Sequence, residues 1–414
     1  MTVTRSSTER GRLTVLRPSR LFDGVGSALV EDPVVVLDGT TIVAVDHAGC
    51  FPAMEHADVV HLDGATLVPG LIDTHVHLCF DAGHDVVGGL ARRDRAAALA
   101  AMARAARIAL SAGVTTVRDL GDLDYLSLTL REGDHGGPLP TIVAAGPPIT
   151  SPGGHCHFLG GEAAGVDGVR RAVRAHAERG VDVIKVMASG GHLTPGSHPH
   201  EAQFATDELR AIVDEAHRFS LPVTAHAHST GAIADAVAAG VDGLEHVSFQ
   251  TATGVVPAPR ELVAAIADRR IDVGATLGFV AHPGVEPPPA LRAALPMLRE
   301  NLRRLIDAGA PVVIGTDAGI APIKPHDVLP RALIDLAELG PTSVQALRTV
   351  TSHAAGVLGL AHRKGRLAPG YDADLLAVDG DPLADLSALC RVRAVYAKGV
   401  AVPIQATTEE RRLS

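Results

Sequence analysis

The stretch Gly70-Leu71-Ile72-Asp73-Thr74-His75-Val76-His77 decides how this chain is read. It ends the apolar run 65–72, which is long enough for a buried β-strand. Side chains two apart on a strand project from one face, so His75 and His77 aim two imidazoles at one point. Paired imidazoles at a strand end make a bidentate platform for a divalent metal. A turn with two solvated histidines would show the same local sequence, so the rest of the chain must arbitrate.

Outward from this stretch, strands and helices alternate. Apolar, β-rich runs at 115–120, 141–145, 181–188, 222–227, 243–247, 272–277 and 311–316 join 67–74 to make eight strands. Amphipathic or alanine-rich stretches at 94–111, 166–179, 206–219, 231–239, 260–269 and 291–308 fill most of the gaps as helices. The helix at 206 opens with Thr206 as its cap and the early acids Asp207 and Glu208. Eight such units predict an α/β fold, a (β/α)8 TIM barrel. A doubly wound open sheet would carry a Gly-rich phosphate turn after its first strand, and none stands there.

Short β runs flank the alternating region, at 13–16, 33–37 and 41–45 and again at 374–378, 392–396 and 400–402. Neither set has the apolar surface to be a stable sheet alone. Together they predict a small β-sandwich domain formed by both chain ends. The expected division is 12–66 plus 366–405 for that domain and 67–365 for the barrel.

At 414 residues the chain can bury a large core, and with 3% aromatics and no Trp that core is built from Ala, Val, Leu and Gly. A net charge of −10 with no basic stripe argues against nucleic acid as a partner. No apolar stretch is long and charge-free enough to span a bilayer, and residues 1–12 lack an apolar leader. Cys50, Cys79, Cys156 and Cys390 show no CxxC spacing and read as free thiols. The expectation is a cytoplasmic protein, with no membrane partner, acting on a small-molecule substrate. Assembly into a homo-oligomer is compatible with all of this.

Four later strands carry further candidates. Val183-Ile184-Lys185-Val186-Met187 turns Lys185 into the barrel, where an unpaired ammonium is costly. His226 and His228 share a face in Val223-Thr224-Ala225-His226-Ala227-His228, His246 ends Gly243-Leu244-Glu245-His246-Val247, and Asp317 ends Val312-Val313-Ile314-Gly315-Thr316-Asp317. In a (β/α)8 barrel the C-terminal strand ends converge on the catalytic face. His75, His77, Lys185, His226, His246 and Asp317 lie at those ends on five strands. Six independent accidents explain that poorly.

These motifs resemble the amidohydrolase superfamily, in the imidazolonepropionase-like branch that also contains metal-dependent dipeptidases. The resemblance runs through Pro69-Gly70-Leu71-Ile72-Asp73-Thr74-His75-Val76-His77, Ile184-Lys185-Val186-Met187-Ala188-Ser189-Gly190-Gly191, Ala225-His226-Ala227-His228, Glu245-His246, Gly315-Thr316-Asp317-Ala318-Gly319 and the segment from Gly365 to Leu375. It departs at Ser352-His353, where relatives often carry Asn-Pro, in a helix far in sequence from the candidate ligands, and this carries no functional conclusion. The resemblance implies two divalent metal ions. His75, His77 and Asp317 would hold the more buried one, and His226 and His246 the second. Lys185 would carry a CO2-derived carbamate bridging both. A shared water would supply hydroxide at neutral pH, with Asp317 as the catalytic proton carrier. Imidazole and carboxylate ligands suit zinc best, with manganese or cobalt as substitutes.

Two loops rich in Gly, Pro and His follow the third and fourth strands and read as substrate clamps. His155, beside Gly153-Gly154, is the leading substrate contact, followed by His192, with His157, His198 and His200 behind. His228, one step beyond His226, is a rim or supporting residue that also faces substrate. Tyr125, Arg118 and Lys324 read as surface or salt-bridge residues, and Cys79 and Cys156 as small apolar ones. The expected activity is hydrolysis of an amide or other C–N bond, a dipeptide or N-acyl amino acid ahead of a cyclic amide, ester or lactone. A metal-free Schiff-base enzyme built on Lys185 leaves the histidines idle, and a non-catalytic scaffold would be expected to have lost ligands.

Overall fold

In the computed structural model, which describes residues 13–47, 57–286 and 289–404, Gly70 divides the apolar run between two sheets. The strand Asp58–Pro69 pairs antiparallel with Leu375–Asp379 from the other end of the chain, Leu67 opposite Ala377. Leu71–Val76 pairs parallel with Val114–Asp119 inside the barrel. The strand expected at 67–74 is therefore the end of one strand and the start of another. An unbroken apolar run hides the switch, and Gly70 marks it because a Cβ there would lie 2.1 Å from the Thr115 hydroxyl. Residues 1–12, Cys50 and residue 405, on which the sequence carried expectations, lie outside the described residues.

Eight parallel strands follow one another round the ring: Leu71–Val76, Val114–Asp119, Thr141–Ala144, Ile184–Met187, Val223–Ser229, Gly243–Thr251, Asp272–Thr276 and Val312–Gly315, hereafter barrel strands one to eight. Strands one to three pair in order, and so do strands four to eight. Two seams complete the circle. Ile149, just past strand three, bridges Val186 and donates its N–H to the Lys185 carbonyl at 2.8 Å. Val76 of strand one bridges Ala318 beyond strand eight. Strands one, two, four and eight are buried along their whole length, as parallel strands covered on both faces must be.

A helix follows each strand, from Arg95–Ser111 after strand one to Leu329–Ala337 after strand eight. Two of these, Leu126–Glu132 and Leu329–Ala337, span about two turns each and fall outside the helices expected from the sequence, although Leu329, Ala332, Leu333 and Leu336 do mark a buried face on the second. Thr206 is not the cap of its helix but its first residue, and its hydroxyl turns to Asp235 Oδ1 at 2.5 Å. Glu208 folds back instead and accepts the Ala205 N–H at 3.0 Å.

The terminal strands meet in one sheet of eight, in which Thr14–Leu21, Pro33–Asp38, Thr41–His47 and Asp58–Pro69 join Leu375–Asp379, Val392–Ala397 and Val400–Ala401. Leu16, Val35, Leu37, Leu67, Leu375 and Ala377 pack one core there. Leu376 points the other way into the barrel's core and presses against Gly113, where a Cβ would stand 2.6 Å from its methyl. Gly113 also has φ +88°, so both space and backbone call for glycine. Among the described residues no helix is long and apolar enough to cross a membrane.

Candidate active site

The C-terminal ends of strands one, five, six and eight bring two groups of side chains together. Ligand atoms of His75, His77 and Asp317 lie within 4.8 Å of one another, and so do those of His226, His228 and His246. The groups adjoin, with the His75 and His246 rings 5.2 Å apart. Two of these positions need unusual backbone: His246 has φ +70° and Asp317 φ +59°. Non-glycine residues in that region cost about 1–3 kcal/mol each and collect at functional sites. Asp317 is held there by its own N–H, which donates to the His75 carbonyl at 2.7 Å.

Hydrogen bonds settle where the ring protons sit. His77 Nδ1 faces the Gly121 carbonyl at 3.0 Å, so Nδ1 carries the hydrogen and Nε2 presents a lone pair. That lone pair looks at Asp317 Oδ1 across 3.2 Å, and His75 Nε2 looks at the same oxygen across 3.5 Å. His226 donates from Nε2 to the Gly190 carbonyl at 3.0 Å, which leaves its Nδ1 bare. Three electron-rich atoms converging on one point repel unless a proton or a cation lies between them. Burial lowers His77, but Asp317 outweighs it and holds the ring above its ordinary value. The carboxyl of Asp317, despite burial, is held far below the usual range by His75 and His77. Both shifts express the same demand for positive charge, and three such donors suit a divalent metal.

Lys185 is 1% exposed, and its Nζ has no hydrogen-bond partner among the described residues. Burial pushes its amine down to about 8. An orphaned amine of lowered basicity, electrostatically coupled to both histidine groups, fits a lysine that is chemically modified. Burial drives His226 and His246 well below the ordinary imidazole value, so both rings are neutral and free to act as ligands.

The clamp loops are tied to each other. His155 N–H donates to Gln203 Oε1 at 2.5 Å, Gln203 Nε2 donates to Met187 O at 2.9 Å, and Cys156 N–H donates to Thr194 Oγ1 at 2.8 Å. The ring of His155 lies 4.8 Å from that of His226, with Nδ1 buried and unpartnered. The glycine that admits it is Gly191 of the other loop, where a Cβ would meet His155 Nε2 at 2.4 Å. His192 reaches His228 at 5.8 Å between ring centroids. His198 and His200 stack on each other, and His157 packs on Phe158. His228 lies closer in than a rim position, 4.5 Å from His226 and stacked at 4.6 Å on His246.

Arg118 and Lys324 are not surface residues. Arg118 is buried in an ion pair with Glu245, and Lys324 donates to the carbonyls of Thr276, Leu277 and Thr316 at the ends of strands seven and eight. Glu245, which also accepts from His75, is the residue that sequence reasoning passed over. Its signal was a carboxylate inside an apolar strand, which needs a partner. Cys79 and Cys156 are buried thiols pushed upward by desolvation, Cys156 to about 12, and are inert.

The chain is 30% identical to ochratoxinase of Aspergillus niger over 94% of its own length and 86% of the relative's. It is 28% identical to imidazolonepropionase of Caulobacter vibrioides, covering 91% and 93%. Its fold superposes with TM-score 0.81 on a prolidase complexed with N-methylphosphonate-L-proline, 30% identical, covering 95% and 100%. The model of the amidohydrolase family matches residues 66–402. The chain thus belongs to the amidohydrolase family, a metal-dependent hydrolase acting on carbon–nitrogen bonds.

Proposed function

We propose that this protein hydrolyses the amide bond of a dipeptide or N-acyl amino acid. The observation that carries this is the convergence of the His75, His77 and Asp317 acceptors beside the orphaned amine of Lys185. His75, His77 and Asp317 would hold one divalent ion and His226 and His246 the other, with zinc the best match to these donors. Bound there, such ions supply acidified water and polarise a carbonyl. Lys185 would carry a carbamate: its buried ammonium gives up a proton readily, and the neutral amine adds to CO2 and releases a second proton. A buried cation thereby becomes an anion that two cations can satisfy. Asp317 takes a proton from the attacking water and delivers it to the leaving nitrogen, so that the C–N bond breaks to a neutral amine. His155 and His192 contact the substrate from the clamp loops, and His228 from the end of strand five. The prolidase relative supports this class, since its ligand is an amino acid substituted on nitrogen.

A cyclic amide is the second reading, favoured by the likeness to imidazolonepropionase. The test strips the protein with chelator, restores zinc, and screens dipeptides, N-acyl amino acids, lactams and esters. Zinc-dependent cleavage of the first two is expected, and His75→Ala and Asp317→Asn should abolish it. Full activity in the stripped protein defeats the proposal, and turnover confined to lactams selects the second reading.

A further inference from the structure

We infer that Glu245, which belongs to neither histidine group, is a positioning residue that presets the tautomer of His75 and so strengthens the first group's hold on its cation. The inference rests on the metal-centre reading above. Glu245 is 1% exposed on strand six. Its Oε1 accepts from Arg118 Nη2 at 2.9 Å and from Thr224 Oγ1 at 2.7 Å, and its Oε2 faces His75 Nδ1 at 2.8 Å. Arginine does not surrender its proton, and Arg118 is further fixed by its Nε, which donates to the Thr74 carbonyl at 2.6 Å. Paired this way, Glu245 is an anion that only accepts. The hydrogen between Glu245 and His75 therefore rides on Nδ1, and Nε2 is left as a lone pair aimed at Asp317.

His77 reaches the same tautomer by a weaker route, a neutral backbone carbonyl. A carboxylate behind an imidazole raises its basicity as a ligand more than a carbonyl does, and such partners are worth 10–100-fold in metal affinity. The barrel keeps space for this carboxylate. Gly274 of strand seven stands where a Cβ would lie 2.0 Å from Glu245 Oε2, so strand seven carries no side chain there. Strands one, two, five, six and seven thus each contribute one residue to a single carboxylate. An ion pair that served the core alone would need Arg118 but not His75, and losing it would alter stability without altering a ring tautomer.

The experiment compares the full-length chain with Glu245→Gln by chelator competition for zinc. One of two zinc equivalents should weaken about 10–100-fold, with the other unchanged within about threefold. Equal affinity at both overturns the inference. Because the variant strands the Arg118 charge, a second measurement uses the unaltered chain: 15N-histidine spectra of metal-free protein at neutral pH, with His75 assigned by its loss in His75→Asn. A protonated Nδ1 and bare Nε2 are expected, and the opposite tautomer or a doubly protonated ring overturns the inference whether or not the variant folds. Failure of the unaltered chain to bind zinc counts against the metal-centre reading, whereas unaltered zinc affinity in the variant beside a zinc-binding parent counts against Glu245 alone.

Discussion

At Lys185 a fully buried amine meets no acceptor among the described residues, a placement that costs stability. Such an atom forfeits about 1–3 kcal/mol of hydration. Lys185→Met, close in volume, should therefore raise the unfolding midpoint of metal-free protein by that order while abolishing zinc-dependent turnover. A destabilised variant would mean that the amine has a partner after all. The histidines were legible from the sequence because period two on a strand needs no tertiary knowledge, and strand ends in a barrel share a face. The Arg118–Glu245 pair was not, because its partners are 127 residues apart and each alone looks like an ordinary charge. Nothing in the sequence announced the left-handed backbone at His246 and Asp317 either, since His and Asp visit that region more readily than most residues and nothing local marks which of them will.

Among elements, the joint between strands one and eight invites a pH test. Asp73 of strand one accepts from the Thr316 N–H at 3.0 Å and its hydroxyl at 2.6 Å, latching the first strand to the last. Burial pushes its carboxyl up to about 7 from 3.8, against the hydrogen bonds that lower it. The folded state thus binds this proton more tightly than the unfolded chain does. Its contribution is fully present below about pH 4, is lost as pH rises through about 7, and is constant above that. Asp73→Asn should remove this decline, so its denaturation midpoint relative to the parent improves from pH 5 to pH 8 in metal-free protein. An offset equal at both pH values would rule the group out. Element boundaries were the weakest part of the sequence reading for a related reason: the run through Gly70 is apolar in both sheets, and where one ends shows only in the change of partner strand and the close approach of Thr115.

For the molecule as a whole, the order of eight strands and the meeting of the two termini were legible, because alternation of pattern and matching β-rich ends survive without coordinates. How the two sheets join was not. Leu67 to Pro69 pair with Leu375 to Ala377, and Leu376 fills the space that Gly113 leaves open. Removing residues 375–404 should expose the edge of Asp58–Pro69 and empty that contact, yielding aggregated protein without zinc-dependent turnover. A soluble, zinc-binding truncation would refute this. The same join bears on biosynthesis. The strand leading into His75 waits for a partner made some three hundred residues later, so every barrel strand has been synthesised before the first imidazoles are braced from behind. Nascent intermediates that stop short of Leu375–Asp379 carry all the site histidines yet lack the brace behind them, so competence waits on that late strand.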